Sequence, residues 1–359
     1  MNTATLQTFF DTEYTTNRAK FDALAADPVG PSSQNYYNFQ FVLQGTISMY
    51  EATGDVTYLE RAMAWAETMM SKATIVDGKG YKNWPGPWLG SPFIPTVGII
   101  YTLCNLQGCV ELACLCRVIM TNRPLYARYW QRAKVLFDFV RSNCVEKEVA
   151  FQGGWFGWIE AYTTKNYSDK AALLARILLN LYGCGFDENM SHTSMLTQLL
   201  SIWRGLLISR PDGSMIWDQN KYNNAGSPGI DHAPDIVHAN RWAALVVDAV
   251  EMKMVLDMRH LTDLGNLFCG LWNQSLFTPQ FTNFIDGAND VFDPQGQNRG
   301  PWQLAYIYPG WSMIGAYHGG TRDVCEAVLM ANMAGHADNN NTWLGRTCLS
   351  GDLARNLTR

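Results

Sequence analysis

The most restrictive feature of this chain is a repeated pattern of paired amphipathic segments. Apolar residues recur at helical spacing through most of the 359 residues. Short polar turns interrupt them near Gly54, Asn122, Glu188, Arg259 and Gly320, in steps of 61 to 71 residues. A near-constant step predicts a repeated helix pair, because one pair alone cannot bury its apolar face. The pattern indicates five pairs, and an N-terminal helix over roughly 5–26 would complete a sixth.

The first pair illustrates the pattern. Its first helix has an apolar face from Phe39 to Tyr50, and its second helix has one from Tyr58 to Met70. Glycine suits the end of a helix and aspartate suits an N-cap, so the turn Thr-Gly-Asp at 53–55 joins them tightly. Strand signals are weak and confined to the connections between pairs. We therefore predict one all-α domain over residues 1–359.

The connections between pairs are much longer than the turns within them. They cover about 74–92, 144–167, 209–236 and 275–302. Six of the thirteen tryptophans lie there: Trp84, Trp88, Trp155, Trp158, Trp217 and Trp302. Loops of this length in a compact domain usually carry function. Since successive hairpins bring all long connections to one end, that end is the expected ligand-binding face.

The hairpin repeat, the segment Thr-Gly-Asp-x-x-Tyr-Leu-x-x-Ala at 53–62 and the aromatic connections resemble the α/α-toroid enzymes. That group contains six-hairpin glycosidases, sugar epimerases and toroid polysaccharide lyases, and the resemblance covers nearly the whole chain. It implies an (α/α) toroid of five to six hairpins with a carbohydrate cleft on the long-connection face. Toroid lyases are similar in placing an Asn, a His, a Tyr and an Arg around a uronate. The residues of these types here are Asn240, His238, Tyr308 and Arg241.

The densest group of reactive side chains lies at 231–242, where the fourth pair's first helix begins. His238 and Arg241 are three residues apart and share a helix face. A lyase removes a proton next to a carboxylate. For that reaction His238 suits the base, Arg241 a bidentate carboxylate partner and Asn240 a donor to the enolate. The simpler alternative is that His238 and Arg241 only brace the preceding loop.

Other side chains near these helix starts have two interpretations each. Asp235 is expected to be the N-cap of its helix. His232 either reaches the substrate or pairs with a neighbouring aspartate. Tyr306 and Tyr308 open the fifth pair, and two residues apart on a helix they cannot both face a cleft. We favour Tyr308, beside Pro309, as the acid or base that the resemblance implies; core packing is the alternative for both.

Aromatic residues of the long connections suit carbohydrate binding, because aromatic rings stack on the apolar faces of sugars. We therefore expect substrate contacts from Trp84, Trp88, Trp155, Trp158, Tyr162, Trp217, Trp302 and Tyr306, and from Glu160. Gap filling between hairpins is the alternative for any single tryptophan. Glu160 also supports a rival chemistry, since a glycosidase needs two carboxylates and Glu160 with Asp231 or Asp235 would supply them.

The favoured function is therefore β-elimination on a uronate-containing polysaccharide. Glycoside hydrolysis and sugar epimerisation are the alternative activities, and a carbohydrate-binding module of a larger particle is the non-enzyme alternative. The chemistry needs no redox cofactor. Signatures of nucleotide binding, serine hydrolysis and zincin metal sites do not occur in the sequence.

Composition excludes several other classes. The net charge of −5 argues against nucleic acid as a partner, and no apolar run is long enough to cross a bilayer. The nine cysteines are expected to be buried free thiols rather than zinc ligands. The first residues lack signal-peptide features. We therefore expect synthesis in the cytoplasm, with lysis, a phage particle or non-classical export as routes to an extracellular polymer.

Overall fold

A computed structural model describes most of the chain. It covers residues 1–26, 33–75, 78–84, 102–154, 157, 168–185, 190–217, 233–273, 280–282, 285–287, 308–333 and 342–359. The helices in these parts are α1 (Thr3–Ala26), α2 (Ser33–Thr53), α3 (Val56–Lys72), α4 (Thr102–Thr121), α5 (Arg123–Val140), α6 (Lys147–Phe151), α7 (Ser168–Gly183), α8 (Met190–Leu206), α9 (Ile236–Glu251), α10 (Met258–Gly270), α11 (Tyr308–Ile314), α12 (Gly319–Met333) and α13 (Thr342–Asn356). A π-helical segment, Arg141–Glu146, joins α5 to α6.

Strands occur as short ladders at the beginnings of three long connections. The described pairs are β1 (Thr74–Ile75) with β2 (Lys82–Asn83), β3 (Ile208–Ser209) with β4 (Met215–Ile216), and β5 (Trp272–Asn273) with β6 (Gln280–Phe281). All three are antiparallel. Among the described residues, strands are therefore confined to the connections, as predicted.

The helices form two concentric rings. In the described parts of the chain, α2, α4, α7, α9, α11 and α13 each contact the next, and α13 contacts α2, so an inner ring closes. Their partners α1, α3, α5, α8, α10 and α12 pack outside them. The apolar core lies mainly between the rings. Every inner helix begins at the same end, which we call the loop face, and the short turns lie at the opposite turn face.

The tight turns follow the sequence rules for helix ends. Gly54 has a φ of +71° between α2 and α3, and Asp55 caps α3 through the backbone N–H of Thr57. Asn122 caps α5 in the same way, with Pro124 in the first turn. These observations confirm the predicted Thr-Gly-Asp turn and the turn at Asn122, because both depend on local chemistry alone.

The sixth hairpin is built from the two ends of the chain. The outer helix α1 and the inner helix α13 pack together, although they are more than 300 residues apart in sequence. Gly45 of α2 and Gly351 of α13 allow the closing contact: a Cβ on Gly351 would lie 2.1 Å from the carbonyl oxygen of Gly45. The described helices therefore form a ring of six pairs, and the N-terminal helix completes it as predicted.

We expect Gly351→Ala to weaken this closure. The added methyl group meets backbone that cannot rotate away, so the variant should lose about 1–3 kcal/mol of unfolding free energy, as overpacked cores do. Urea denaturation followed by circular dichroism measures the loss. Gly205→Ala in α8 is the matched control, because nothing lies within 4 Å of a Cβ there. A loss no larger than that of the control would contradict the role given to this contact.

Two composition-based predictions concern buried side chains. All nine cysteines are free thiols; eight are buried, as expected, and Cys269 is half-buried. The expectation that no apolar run is long enough to cross a bilayer is wrong for the inner helix α4, which is long and apolar enough by composition. However, 83% of its most apolar window is buried in the protein. Such burial is typical of a core helix.

Candidate active site

The candidate site lies at the loop face, where the first turns of the inner helices α2, α4, α7 and α9 meet. Asp235 is the N-cap of α9, as predicted, and its carboxylate accepts hydrogen bonds from the backbone N–H groups of Val237 and His238. Its second oxygen accepts a short hydrogen bond from Nδ1 of His238. Asp235 is therefore more than a cap, because it also holds the imidazole ring in place.

His238 is oriented for proton transfer. Because the carboxylate of Asp235 only accepts hydrogen bonds, Nδ1 carries the proton and Nε2 of the neutral ring is left as the basic atom. Nε2 lies 3.9 Å from Oδ2 of Asp169, in the first turn of α7, and 20% of the His238 side chain is exposed. A carboxylate that fixes the tautomer and stabilises the imidazolium is a recurring arrangement for a histidine base.

Arg241 lies on the same face as His238, as predicted, but it is buried with only 4% of its surface exposed. Each of its three guanidinium nitrogens already has a protein partner. Nη1 donates to Asp169 at 2.8 Å, Nη2 to the hydroxyl of Tyr37 at 2.8 Å, and Nε to Gln107 at 3.1 Å. Arg241 therefore holds Asp169, Tyr37 and Gln107 in place, and its predicted bidentate contact to a substrate carboxylate stays a prediction.

The charge on Arg241 is permanent. Burial alone would lower the pKa of its guanidinium, but Tyr37, Asp169 and Asp235 raise it above the ordinary value. The guanidinium of Arg241 donates a hydrogen bond to the hydroxyl of Tyr37, so this hydroxyl lies beside a fixed cation where little water is present. Tyr37, half-buried in the first turns of α2, is thus a second proton-transfer candidate.

Lys170 follows Asp169 in the first turn of α7 and is half-buried. Desolvation lowers the pKa of its ammonium group, and the carboxylate of Asp169 acts in the opposite direction. Perturbed titratable groups in a cleft are typical of functional sites. The described part of the site therefore combines one histidine, one tyrosine and two cations.

Asn240 and Tyr308 lie where α9 meets α11. Asn240 is buried with 7% of its surface exposed, and its carbonyl oxygen lies only 1.7 Å from the position of a Cβ on Gly310. The close packing of α9 against α11 therefore requires a glycine at position 310. Tyr308 begins α11, but its side chain lies outside the described part of the structure, so its predicted role as acid or base stays a prediction.

Two of the predicted sugar-stacking tryptophans are core residues. Trp84 is 1% exposed, donates its indole N–H to the carbonyl of Met69 at 2.8 Å and packs against Tyr36. Trp217 is also 1% exposed and packs edge-to-face against Trp203. A ring buried to this degree presents no face to a ligand. The structure therefore corrects both predictions in favour of gap filling between hairpins.

The other predicted site residues lie outside the described residues. They are Trp88, Trp155, Trp158, Glu160, Tyr162, His232, Trp302 and Tyr306. The predictions about their substrate contacts therefore stay predictions, as does the pairing of Glu160 with a second carboxylate.

Sequence reasoning missed Tyr37, Gln107, Asp169 and Lys170. The repeat itself contains the signal that could have found them. Side chains one repeat apart should lie side by side at the same level of the ring, and Tyr37, Gln107, Asp169 and Arg241 are separated by 70, 62 and 72 residues. Examining the first turn of every inner helix, rather than of α9 alone, would have brought these residues together.

Comparison with known proteins identifies the architecture. No family model and no curated protein matches the chain. A solved polysaccharide lyase is similar, with a TM-score of 0.53 and 12% identity over 98% of this chain and 97% of that chain. This similarity confirms the α/α-toroid fold.

Two structures of the α-1,6-mannanase GH76A of Salegentibacter sp. HEL1_6 also match. They are inactive variants in complex with α-1,6-mannotetrose and α-1,6-mannotriose, with TM-scores of 0.48 and 0.49. Both are 11% identical over 90% of each chain.

Proposed function

We propose that this protein is a polysaccharide lyase that cleaves a uronate-containing polymer by β-elimination. The observation that carries the proposal is the convergence of His238 and Tyr37 on the ion pair of Arg241 and Asp169. Two proton-transfer groups and a permanent cation are what an elimination next to a carboxylate needs. The similarity of the fold to that of a solved polysaccharide lyase supports the same choice.

The described carboxylates suit this chemistry better than hydrolysis. Asp235 is committed to the α9 cap and to His238, and Asp169 is committed to Arg241. A glycosidase needs one protonated carboxylic acid and one carboxylate facing the sugar. In the described part of the site, each carboxylate instead holds a cationic or basic side chain in place.

The proposed reaction assigns one role to each group. Nε2 of His238 takes the C5 proton of the uronate, and Asp235 stabilises the resulting imidazolium. The C4–O4 bond breaks, its electron pair leaves with O4, and a C4=C5 double bond forms. The Tyr37 hydroxyl gives its proton to O4, and Arg241 stabilises the phenolate. We assign the ammonium of Lys170 to the substrate carboxylate; transfer of a proton from His238 to Tyr37 through water restores the site.

The reaction type can be tested by product chemistry. The protein is incubated with a panel of uronic-acid polymers and with neutral mannan, and two signals are followed in parallel. A lyase gives near-ultraviolet absorbance from the new double bond on a uronate polymer. Reducing ends without that absorbance would reject the lyase and favour a glycoside hydrolase. A Glu160→Gln variant adds a second discrimination: a lyase should keep most of its activity, whereas a hydrolase that uses Glu160 should lose it.

We expect Tyr37→Phe to reduce elimination about 10²–10⁴-fold, because the variant removes the hydroxyl that protonates the leaving oxygen and keeps the ring. The rate of absorbance increase measures the loss. Tyr317→Phe is the control: that hydroxyl donates to Glu251 at the opposite, turn face of the ring. Equal rates for Tyr37→Phe and the wild type would remove Tyr37 from the mechanism and leave Tyr308 as the candidate acid.

A further inference from the structure

Two cysteine side chains are in contact where the inner helices α4 and α7 meet at the turn face. Cys116 lies in the last turns of α4, and Cys184 directly follows the last residue of α7. The thiol of Cys184 donates a hydrogen bond to Sγ of Cys116 at 3.2 Å, although the two residues are 68 apart in sequence. The proposed elimination uses neither thiol. Two thiols in contact are the starting arrangement for a disulfide, in which the sulfur atoms are about 2.05 Å apart.

The backbones on both sides of this pair are held close together. Gly183 precedes Cys184, and a Cβ there would lie 2.9 Å from Cδ of Arg117, the neighbour of Cys116. One turn earlier on α7, Oδ1 of Asn180 accepts a hydrogen bond from Nε of Arg117 at 2.6 Å. A disulfide forms without strain only where the two backbones already approach each other. Here the sulfur atoms need to move together by about 1.2 Å, a distance that side-chain rotation supplies.

Cys184 is the more accessible member of the pair. It is 6% exposed at the end of a helix, whereas Cys116 is fully buried. Helix ends open locally at a lower free-energy cost than the core does. The hydrogen bond from Cys184, together with burial, raises the pKa of the Cys116 thiol above its ordinary value, so Cys116 is a poor nucleophile while the pair is intact. Cys184 is therefore the thiol that meets an oxidant first.

We propose that Cys116 and Cys184 form a redox-sensitive dithiol, which a low-molecular-weight disulfide such as oxidised glutathione converts into a disulfide between α4 and α7. The Cys184 thiolate attacks one sulfur of oxidised glutathione, so a mixed disulfide forms and one glutathione thiolate leaves. Cys116 then loses its proton, its sulfur attacks Sγ of Cys184, and the second glutathione thiolate leaves. The two protein thiols lose two electrons, one oxidised glutathione is reduced to two glutathione molecules, and the two thiol protons pass to them through water.

The disulfide should stabilise the ring where α4 and α7 meet. A cross-link between residues 68 apart restricts the unfolded chain strongly, and in a chain of this length the melting temperature should rise by about 3–6 °C. The bond lies at the turn face, so the candidate active site at the loop face should keep its geometry. The protein therefore gains stability in oxidising surroundings and returns to the dithiol in reducing ones.

Oxidation of the folded protein tests the dithiol directly. Wild type and Cys184→Ala are incubated with oxidised glutathione, the remaining thiols are blocked under denaturing conditions, and the chains are digested without reductant for mass spectrometry. We expect a cross-linked peptide that joins Cys116 to Cys184, and two fewer blocked thiols than the nine of the reduced chain. The melting temperature of the wild type should rise on oxidation and fall back with dithiothreitol. That of Cys184→Ala should not depend on oxidation, whatever the variant's own stability.

The chain contains a second thiol pair that serves as a matched control. Cys109 of α4 and Cys144 of the π-helical segment also share a hydrogen bond, but both lie within continuous helical segments and are at most 2% exposed. We expect this pair to stay reduced in the folded protein. A wild type that keeps nine free thiols, stops at the mixed disulfide or links Cys109 to Cys144 instead would overturn the proposal. A bond between Cys116 and Cys184 that lowers the melting temperature would overturn its stabilising role.

Discussion

We expect His238→Ala to abolish the proposed elimination, leaving less than about one-hundredth of the wild-type rate, because in the proposed mechanism it removes the atom that takes the C5 proton. General acid–base groups typically contribute 10²–10⁴-fold, and no other described histidine lies at the loop-face site. The measurement is the initial rate of near-ultraviolet absorbance on the polymer that the wild type cleaves. Circular dichroism and thermal unfolding show whether the variant keeps its fold.

The chain offers a closely matched control for this variant. His260, in the first turn of α10, also pairs with an aspartate three residues earlier, Asp257, which caps that helix. The local arrangement is similar, although Nδ1 of His260 also accepts a hydrogen bond from the backbone N–H of Asp257. The helix α10 belongs to the outer ring and begins at the turn face. His260→Ala should lose some helix-cap stability and no activity. A fully active His238→Ala, or an inactive His260→Ala that is still folded, would contradict the assignment of the base.

Asp235→Asn separates orientation from base strength. The amide can still cap α9, but it cannot stabilise an imidazolium and can accept a different tautomer of His238. We expect this variant to lose activity with little loss of stability, and to lose it in the turnover number more than in KM, because Asp235 does not contact the substrate in the proposed mechanism. The pH profile should shift as well, which a merely structural role for Asp235 would not produce.

The features that sequence reasoning obtained depend on local chemistry. Helical periodicity, the cap at Asp55, the cap at Asp235 and the shared face of His238 and Arg241 all follow from residues within one or two turns of each other. What it missed depends on residues one repeat apart. The sequence favoured Arg241 as a binding partner for a substrate carboxylate, because no acidic residue near it in sequence was expected to pair with it. In the folded ring, Asp169, 72 residues earlier, accepts a hydrogen bond from its guanidinium.

The burial of aromatic residues was the least predictable feature. Trp84 and Trp217 lie in long, aromatic connections, so composition alone favoured a binding surface. Each of the two connections instead begins with a short antiparallel ladder, β1–β2 or β3–β4, and the tryptophan beside that ladder is buried between helices. The sequence predicted no exposed position for Trp130, which lies in the middle of the amphipathic outer helix α5, although its side chain is exposed. Whether a residue lies in a connection or in a helix therefore predicts its exposure poorly, because exposure depends on how the surrounding elements pack.

The largest stability effect is expected from a buried group of charged side chains at the axis of the inner ring. Glu111, Arg176 and Asp248 are 65 and 72 residues apart and lie side by side on α4, α7 and α9. Arg176 donates to both carboxylates at 2.7 Å, and each of the three is at most 3% exposed. Burial alone would raise the pKa of Asp248, but the guanidinium of Arg176, with that of Arg117, lowers it to about 2. The pair is therefore fully ionised at neutral pH.

Asp248→Asn should destabilise the fold by about 3–5 kcal/mol, because it leaves the guanidinium of Arg176 buried with less compensating charge. Asp138→Asn is the control, since its partly exposed pair with Lys134 should contribute less than about 1 kcal/mol. The pH dependence has a definite sign. The folded pKa of Asp248 lies below its ordinary value of 3.8, so its contribution is complete above that value and is lost as the pH falls towards about 2.

Urea denaturation at several pH values measures this dependence. The difference between wild type and Asp248→Asn should be constant from pH 7 to about pH 5 and should shrink at lower pH, by roughly 2 kcal/mol in total. A difference that grows on acidification would mean that Asp248 is protonated in the folded state. Because this axis joins the inner helices at a level below the loop face, the variant should weaken the ring without changing the proposed reaction at His238. Turnover per folded molecule, measured well below the unfolding temperature, should therefore stay at the wild-type value.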